Sequence, residues 1–239
     1  AASLGVVADA GAADGKALAM SIRRDPANAN RFLSARINTS IDPVAGHLLY
    51  GRIEARIKLP GGPDGAGNGL WPAFWMLGSN FPKVGWPACG EIDVMENAGS
   101  RPGQNQGTIH GTGYAGAGVT SYYILPAGQA FYSAYHVFAI DWRPGSVRFS
   151  VDGHAYSTMT PASLPAGSPW LFDHPFYLIL NVNAGGSFGG PVGATTVLPQ
   201  TMLVDYVRAY APPVVTGRSV FYNDSAFDGA DPAAAPSDD

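Results

Sequence analysis

Alternation of apolar and polar residues is the dominant pattern along the chain. Between residues 50 and 59, charged side chains at even positions alternate with apolar side chains at odd positions. Residues 202–207 alternate in a similar way, and residues 146–151 lead into an Asp152-Gly153 pair that is typical of a hairpin turn. A period of two places one face of a strand on a core and the other face in water. Further candidate strands are residues 17–23, 32–38, 73–77, 91–96, 135–142 and 177–183.

Turn-forming residues separate these segments. The chain has 31 Gly and 20 Pro, concentrated in residues 60–69, 97–107, 111–118 and 185–193. No segment shows helical periodicity over more than about two turns. Many short strands joined by turns predict an all-β fold, a jelly-roll sandwich of two antiparallel sheets.

The character of the sequence changes near residue 211. Ala211-Pro212-Pro213 is typical of a linker, and residues 228–239 are mostly Ala, Pro and Asp, which bury little surface. We therefore predict one folded domain over residues 1–211. Residues 212–239 would be a linker or tail, or the start of a further module.

Composition excludes several classes of partner. The formal net charge is −4, and only 14 residues are Lys or Arg, so a nucleic-acid partner is not expected. No apolar run approaches the roughly 18 residues that a membrane span needs, so no membrane partner is expected. The single cysteine, Cys89, excludes an internal disulfide and a thiolate metal cluster, and we interpret it as a packing residue. We expect a monomer.

Three carboxylates lie close together in the segment Gly90-Glu91-Ile92-Asp93-Val94-Met95-Glu96. In a regular strand Glu91 and Asp93 share a face, whereas Glu96 points the opposite way. One β-bulge near Val94-Met95 would return Glu96 to the face of the other two. The sequence therefore allows three acids on one wet surface.

Crowded carboxylates have a chemical use in glycoside hydrolysis. Like charges raise one another's pKa, so one group keeps its proton near neutral pH. A retaining glycosidase needs one ionised nucleophile and one protonated acid roughly 5–5.5 Å apart, and the close spacing favours retention over inversion. The alternatives are a solvated acidic edge and a cation site.

The sequence around the acids closely resembles glycoside hydrolase family 16, in particular its laminarinases, which are endo-β-1,3-glucanases. The motifs that carry the resemblance are residues 50–56, 69–78, 85–99, 108–111, 172–177 and 199–210. The match runs from about residue 14 to residue 210. It implies a jelly roll with a glucan cleft along its concave face.

The resemblance also implies an activity and roles for the three acids. It assigns Glu91 as nucleophile, Glu96 as acid/base and Asp93 as the residue that tunes Glu91. The implied enzyme is secreted, needs no cofactor for catalysis, and hydrolyses internal β-1,3-glucosidic bonds of laminarin-type β-glucans with retention. Mixed-linkage β-1,3-1,4-glucan, a marine galactan, or glucan binding without catalysis remain as alternatives.

Aromatic and polar residues near the acids are candidates for sugar contacts. Indole faces stack on pyranose rings, so Trp71, Trp75 and Trp86 are candidate platforms, with core packing as the alternative. The resemblance places Arg36, His110 and Asn181 at the cleft. A surface ion pair is the alternative for Arg36, and a structural role is the alternative for His110.

The resemblance also implies a structural calcium ion far from the cleft. The backbone carbonyl of Gly15 and the carboxylate of Asp205 match two of its ligand positions, with a solvated carboxylate as the alternative. The family's usual first strand, which carries a Phe-Asp-Gly-like motif, has no counterpart before Asp14-Gly15. A related string occurs at residues 219–229. We expect a truncated front rather than a circular permutation.

Overall fold

The computed structural model describes residues 3–42 and 46–212. Within them, fifteen strands and two one-turn helices form the fold, with a 3₁₀ turn at Pro161–Ser163. The strands are β1 (Leu4–Ala8), β2 (Lys16–Asp25), β3 (Asn28–Leu33), β4 (Arg36–Asn38), β5 (His47–Leu48), β6 (Gly51–Lys58), β7 (Leu70–Gly78), β8 (Glu91–Glu96), β9 (Gln104–His110), β10 (Val119–Ile124), β11 (His136–Arg143), β12 (Ser146–Val151), β13 (His154–Met159), β14 (Phe176–Ala184) and β15 (Gln200–Tyr210). The helices are α1 (Phe81–Val84) and α2 (Gly186–Gly189), and neither could cross a membrane.

The strands form two antiparallel sheets. The outer sheet has the order β1-β2-β15-β6-β11-β12-β13, with β3 also paired to β2. The cleft sheet has the order β10-β9-β8-β7-β14-β4, with β5 also paired to β14. This arrangement confirms the predicted all-β sandwich, in which β7 and β8 occupy the middle of the cleft sheet.

Apolar side chains from both sheets fill the space between them. In β6, Ile53 and Ile57 are completely buried, and in β7, Phe74 and Met76 are completely buried. Trp142 of β11 joins them, and its indole N–H donates to the carbonyl of Phe172 at 2.8 Å, so burying the ring leaves no unpaired donor. The core therefore packs against the back of the cleft sheet.

Alternation predicts the central strands well and the edge strands poorly. The segments predicted at residues 91–96 and 146–151 match β8 and β12, and the Asp152-Gly153 turn has positive φ at both residues. The segment predicted at 32–38 is divided between β3 and β4. Strands β1, β10 and β13 lie at sheet edges, where partial exposure removes the alternating pattern.

Some predictions concern residues outside those described. Residues 213–239, including the linker or tail and the string at 219–229, lie outside the described part of the chain, as do residues 1–2 and 43–45. The domain boundary near residue 211 therefore stays a prediction.

Candidate active site

A bulge in β8 brings the three carboxylates to one face. Across β7, Phe74 pairs with Met95 and Trp75 pairs with Asp93, which leaves Val94 without a partner. Across β9, the three-residue step from Asp93 to Glu96 is matched by the two-residue step from Thr108 to Gln106. Val94 and Met95 both enter the core. Glu96 therefore returns to the face of Glu91 and Asp93, as the sequence analysis predicts.

Two tryptophans of β7 contact polar groups on this face. The indole N–H of Trp71 donates to Glu96 Oε1 at 2.8 Å, and that of Trp75 donates to Asn181 Oδ1 at 2.8 Å. Both rings are partly exposed on the cleft side of β7. Core packing is therefore wrong as the sole role of these residues.

His110 lies beside the acids with a fixed orientation. It pairs with Glu91 across β8 and β9, and its Nε2 lies 3.2 Å from Asp93 Oδ2. Its Nδ1 lies 2.9 Å from the carbonyl oxygen of Ala115. Because a carbonyl only accepts, Nδ1 carries a proton, and Nε2 is the nitrogen that faces the carboxylates.

The pKa values of all three carboxyl groups are raised. Burial, followed by the charge of Asp93, raises the pKa of Glu91, while His110 and the Trp86 side chain partly oppose the rise. Burial, followed by the charge of Glu96, raises the pKa of Asp93 well above its usual range. Burial raises the pKa of Glu96 to about 7, against the opposing effect of the Trp71 hydrogen bond. A buried acid that keeps its proton near neutral pH is suited to general acid catalysis.

Glu91 and Asp93 form a coupled pair joined by a hydrogen bond. Asp93 is only 3% exposed, and Glu91 is more open to the cleft. Their hydrogen bond raises the pKa of Glu91 and lowers that of Asp93, but burial is the larger effect at Asp93. Because ionisation is less costly at the more solvated group, we assign the shared proton to Asp93 and the charge to Glu91. This distribution leaves a charged carboxylate facing the cleft.

Two cavities meet at the acids. One, of about 450 Å³, extends over β14 and β4 and is lined by all three carboxylates. The other, of about 700 Å³, extends over β9 and β10 and is lined by Glu91 and Glu96. Trp71, Glu91 and Glu96 line both cavities. The acids therefore lie in the middle of a cleft that extends in both directions.

The other candidate sugar-binding residues also lie in these cavities. Arg36 lines the smaller cavity, and its guanidinium stacks over Trp75 at 4.9 Å from the ring centroid. Among the described residues it makes no ion pair. Asn181, which also lines the smaller cavity, pairs with Arg36 across β14 and β4. Trp86 lines the larger cavity with 47% of its surface exposed, so it is free to stack on a ligand.

The structure adds cleft residues that the sequence analysis does not identify. Gln106 and Tyr122 face the larger cavity from β9 and β10, where they pair with each other. Phe188 of α2 packs against Trp71 with ring centroids 5.1 Å apart. The sequence could have indicated a role for Phe188, because Phe188 is the single aromatic residue in the glycine-rich segment 185–193.

The residues that the resemblance assigns to calcium have partners within the protein. Asp205 Oδ2 lies 2.5 Å from Arg56 Nη1, and its Oδ1 accepts a bond from the Ala13 amide. The Gly15 carbonyl accepts from the Asp9 amide. Calcium needs six to eight oxygen ligands, whereas the Asp205 side chain is 2% exposed and lies beside the Arg56 guanidinium. The assignment of Gly15 and Asp205 to calcium therefore stays a prediction, and in this structure Asp205 forms a partly buried ion pair with Arg56.

The contact between Asp205 and Arg56 follows from the register of β15. A second irregularity lies at Asp205, because Val204 pairs with Ile57 while Tyr206 pairs with the next residue, Arg56. This places the Asp205 carboxylate against Arg56. Simple alternation across residues 202–207 is interrupted at the same point.

Replacing Glu96 with Gln is expected to stabilise the fold at pH 8. The folded pKa of Glu96 is about 7 and its ordinary value is 4.5, so the folded chain keeps a proton that the unfolded chain loses between these pH values. Stability therefore falls as pH rises through this window. Glu96→Gln removes this loss. It should raise the free energy of unfolding by up to about 3 kcal/mol at pH 8 and by almost nothing at pH 4. Urea unfolding at both pH values measures the difference.

Glu54 provides a matched control for this prediction. Glu54 and Glu96 are both 8% exposed, but Glu54 accepts a bond from Arg52 Nε at 2.8 Å. Glu54→Gln breaks an ion pair and is expected to destabilise the fold at pH 8. Equal effects of the two substitutions at pH 8 would contradict the origin assigned to the Glu96 pKa.

Comparisons with known proteins agree with this architecture. The model of the family described as "Glycosyl hydrolases family 16" matches residues 9–207. Glucan endo-1,3-beta-glucosidase A1 of Niallia circulans is 39% identical over 198 residues, which are 80% of this chain and 28% of that protein. This chain therefore spans little more than a quarter of that relative.

Solved structures give the same result. The laminarinase catalytic domain of Thermotoga maritima has a TM-score of 0.75 and 40% identity, covering 86% of this chain and 82% of that chain. The endo-beta-1,3-glucanase of Pyrococcus furiosus has a TM-score of 0.74 and 44% identity, covering 83% and 75% of the two chains. Since the family model spans most of the sequence, the chain belongs to glycosyl hydrolase family 16.

Proposed function

We propose that the chain is a retaining endo-glycosidase that hydrolyses internal β-1,3-glucosidic bonds of laminarin-type β-glucans. The observation that carries the proposal is the β8 bulge, because it turns Glu96 to the face that already holds Glu91 and Asp93. In the proposed reaction Glu91 is the charged carboxylate and Glu96 the protonated carboxyl, and both line the same cleft.

The first half of the reaction forms a covalent intermediate. The Glu91 carboxylate attacks the anomeric carbon while the Glu96 proton passes to the glycosidic oxygen, and the bond between that carbon and oxygen breaks. Protonated Asp93 hydrogen-bonds Glu91 and keeps its charge oriented towards the sugar. The aglycone part of the glucan leaves as an alcohol.

The second half restores the enzyme. Glu96, now ionised, takes a proton from a water molecule, and the resulting hydroxide attacks the anomeric carbon from the side the aglycone has left. The bond to Glu91 breaks, and its carboxylate is regenerated. Two inversions give net retention of the β configuration.

The cleft supports attack within a chain of uncharged sugars. Cavity volume on both sides of the acids leaves room for sugar units in both directions. Among the described residues that line the two cavities, Arg36 is the only Lys or Arg. A surface with three carboxylates and one guanidinium favours a neutral glucan over a sulfated galactan. The names of the relatives above support β-1,3-glucan as the substrate.

We also propose that the enzyme acts outside the cytoplasm. A polymeric β-glucan does not cross a membrane, so an enzyme that cuts it internally must meet it outside the cell or in the periplasm. Detection of the native protein in the cytosolic fraction alone would contradict this proposal.

A polysaccharide panel tests the proposed reaction. The protein is incubated with laminarin, mixed-linkage β-glucan, cellulose and agarose, and the products are separated by size. We expect oligosaccharides from laminarin, with the newly formed end first seen as the β anomer by proton NMR. An α anomer would exclude retention, and tight laminarin binding without products would favour a glucan-binding domain.

Replacing Trp71 with Phe is expected to move the alkaline limb of the pH–activity profile to higher pH. Glu96 must be protonated, so kcat/KM falls as pH rises through about 7. The Trp71 N–H lowers the pKa of Glu96, and its loss raises that pKa by about one pH unit. The measurement is a pH profile of kcat/KM on a soluble laminarin oligosaccharide.

Trp75→Phe is the matched control for Trp71→Phe. Its indole N–H bonds Asn181 rather than an acid, so the alkaline limb should stay in place. An equal upward movement in both variants would show that loss of indole area, rather than the hydrogen bond to Glu96, moves the profile.

A further inference from the structure

Three side chains in the cleft are arranged as a potential metal site. Among the described residues, Glu91, Asp93 and His110 form the single group of three or more acidic, Cys or His side chains whose ligand atoms all lie within 4.8 Å of one another. The reaction above uses Glu91 and Asp93 but assigns no step to His110. We propose that Glu91, Asp93 and His110 bind a Zn²⁺ ion, which occupies the nucleophile and blocks hydrolysis.

His110 has the orientation of a metal-ligating histidine. Such residues usually donate one ring N–H to a carbonyl or carboxylate, which fixes the ring and directs the other nitrogen to the ion. Here Nδ1 bonds the carbonyl of Ala115 at 2.9 Å, and Nε2 faces the acids. This geometry leaves Nε2 as the ring nitrogen that is directed at Glu91 and Asp93.

The spacing of two ligand atoms already fits a tetrahedral ion. With bonds of about 2.0–2.1 Å, two ligands of tetrahedral zinc lie roughly 3.3 Å apart. His110 Nε2 and Asp93 Oδ2 are 3.2 Å apart. Glu91 is the more exposed of the two acids, so its carboxylate can complete the set by a side-chain rotation.

Asp93 supplies an independent indication of a missing partner. Its Oδ2 atom is buried and accepts no hydrogen bond from the described residues, and the polar atom beside it is His110 Nε2, 3.2 Å away. A buried carboxyl oxygen that accepts no hydrogen bond is costly, and a bound cation would satisfy it while displacing the Asp93 proton to solvent. The atom also faces His110, the residue that would share the ion.

The site is open on one side. Glu91 and His110 both line the larger cavity of about 700 Å³. An ion can therefore enter from the cleft, and water can fill its fourth coordination position, as in three-ligand zinc sites.

The ligand set favours zinc over the abundant hard cations. It provides one imidazole nitrogen and two carboxylates, a combination that zinc accepts. Calcium requires six to eight oxygen ligands, and magnesium prefers an octahedral set of oxygens and water. Neither ion should bind here with comparable strength.

Calorimetric titration of Zn²⁺ into the full chain tests binding directly. We expect one site in the wild-type protein and no comparable heat with Mg²⁺ or Ca²⁺. His110→Asn should weaken Zn²⁺ binding by about 10- to 100-fold or more. The matched control is His136→Asn, because His136 bonds Asp152 at 2.7 Å in a pair that belongs to no three-residue group among the described residues.

A second variant protects the test against misfolding. Glu91→Gln keeps the side-chain shape but removes the anionic ligand, so it should also lose Zn²⁺ affinity, with circular dichroism confirming the fold of each variant. Wild-type affinity in folded His110→Asn or Glu91→Gln would overturn the site. Absence of wild-type binding at millimolar Zn²⁺ would do the same.

Inhibition is measured separately because it rests on the proposed function. Zn²⁺ should inhibit laminarin hydrolysis competitively over the range in which it binds, and EDTA should restore the rate. If the metal-free protein binds Zn²⁺ but never cuts laminarin, the proposed function fails while the metal site stands. Binding at this site with an unchanged rate of hydrolysis would overturn the inhibitory role.

Discussion

Glu91→Ala is expected to lower laminarin hydrolysis by at least about 10⁴-fold, because Glu91 is the group proposed to form the covalent intermediate. Glu91 is the partly exposed member of the Glu91–Asp93 pair, and it lines both cavities. Release of reducing ends from laminarin measures the loss. Removing the side chain also leaves a space beside the anomeric carbon that a small anion can enter.

Azide rescue makes this prediction specific to a nucleophile. In Glu91→Ala, azide should attack from the vacated side of an activated aryl β-glycoside and give an α-glycosyl azide, the opposite configuration to the substrate. Glu54→Ala, on the outer sheet, should stay within a few fold of wild type as long as it folds. Undiminished hydrolysis by Glu91→Ala would refute the assignment of Glu91.

Glu96→Ala is expected to lower laminarin hydrolysis by about 10²- to 10⁴-fold, the usual contribution of a general acid. The loss of activity in Glu96→Ala should depend on the leaving group of the substrate. An aryl laminaribioside that releases dinitrophenolate needs no proton, so formation of its intermediate should proceed at nearly the wild-type rate. Stopped-flow detection of dinitrophenolate measures this step apart from the slow hydrolysis that follows.

The acid/base role also predicts a product. Because Glu91 remains in Glu96→Ala, azide should attack the covalent intermediate and give a β-glycosyl azide. The two alanine variants therefore give opposite anomers, which separates the two roles without reference to rates. A loss of equal size for laminarin and the dinitrophenyl substrate would show that Glu96 does not act as the proton donor.

The strand pattern of the sequence predicts much of the fold but only part of the site. The period of two in β6 predicts its buried face, with Ile53 and Ile57 in the core, because one face of that strand is fully covered. The same rule places Glu96 on the wrong side of β8. Its correct position follows only from an added bulge, which packing of Val94 and Met95 into the core makes possible.

The contacts around the acids depend on pairings that are distant in sequence. Gln106 lies opposite Glu96 because of the register between β8 and β9, and Phe188 reaches Trp71 from helix α2, more than a hundred residues away. Local patterns contain no information on these distances. The ion pair between Asp205 and Arg56 is missed for a related reason, because the irregularity in β15 depends on the partner strand.

The tethered indoles of β7 have a consequence for the thermodynamics of glucan binding. Trp71 and Trp75 are each held at Nε1, by Glu96 and Asn181, so their ring planes are set before a polysaccharide arrives. A receptor whose aromatic platforms are already immobile loses little rotamer entropy on complex formation. Most of the ordering cost of association then falls on the flexible glycosidic torsions of the polymer.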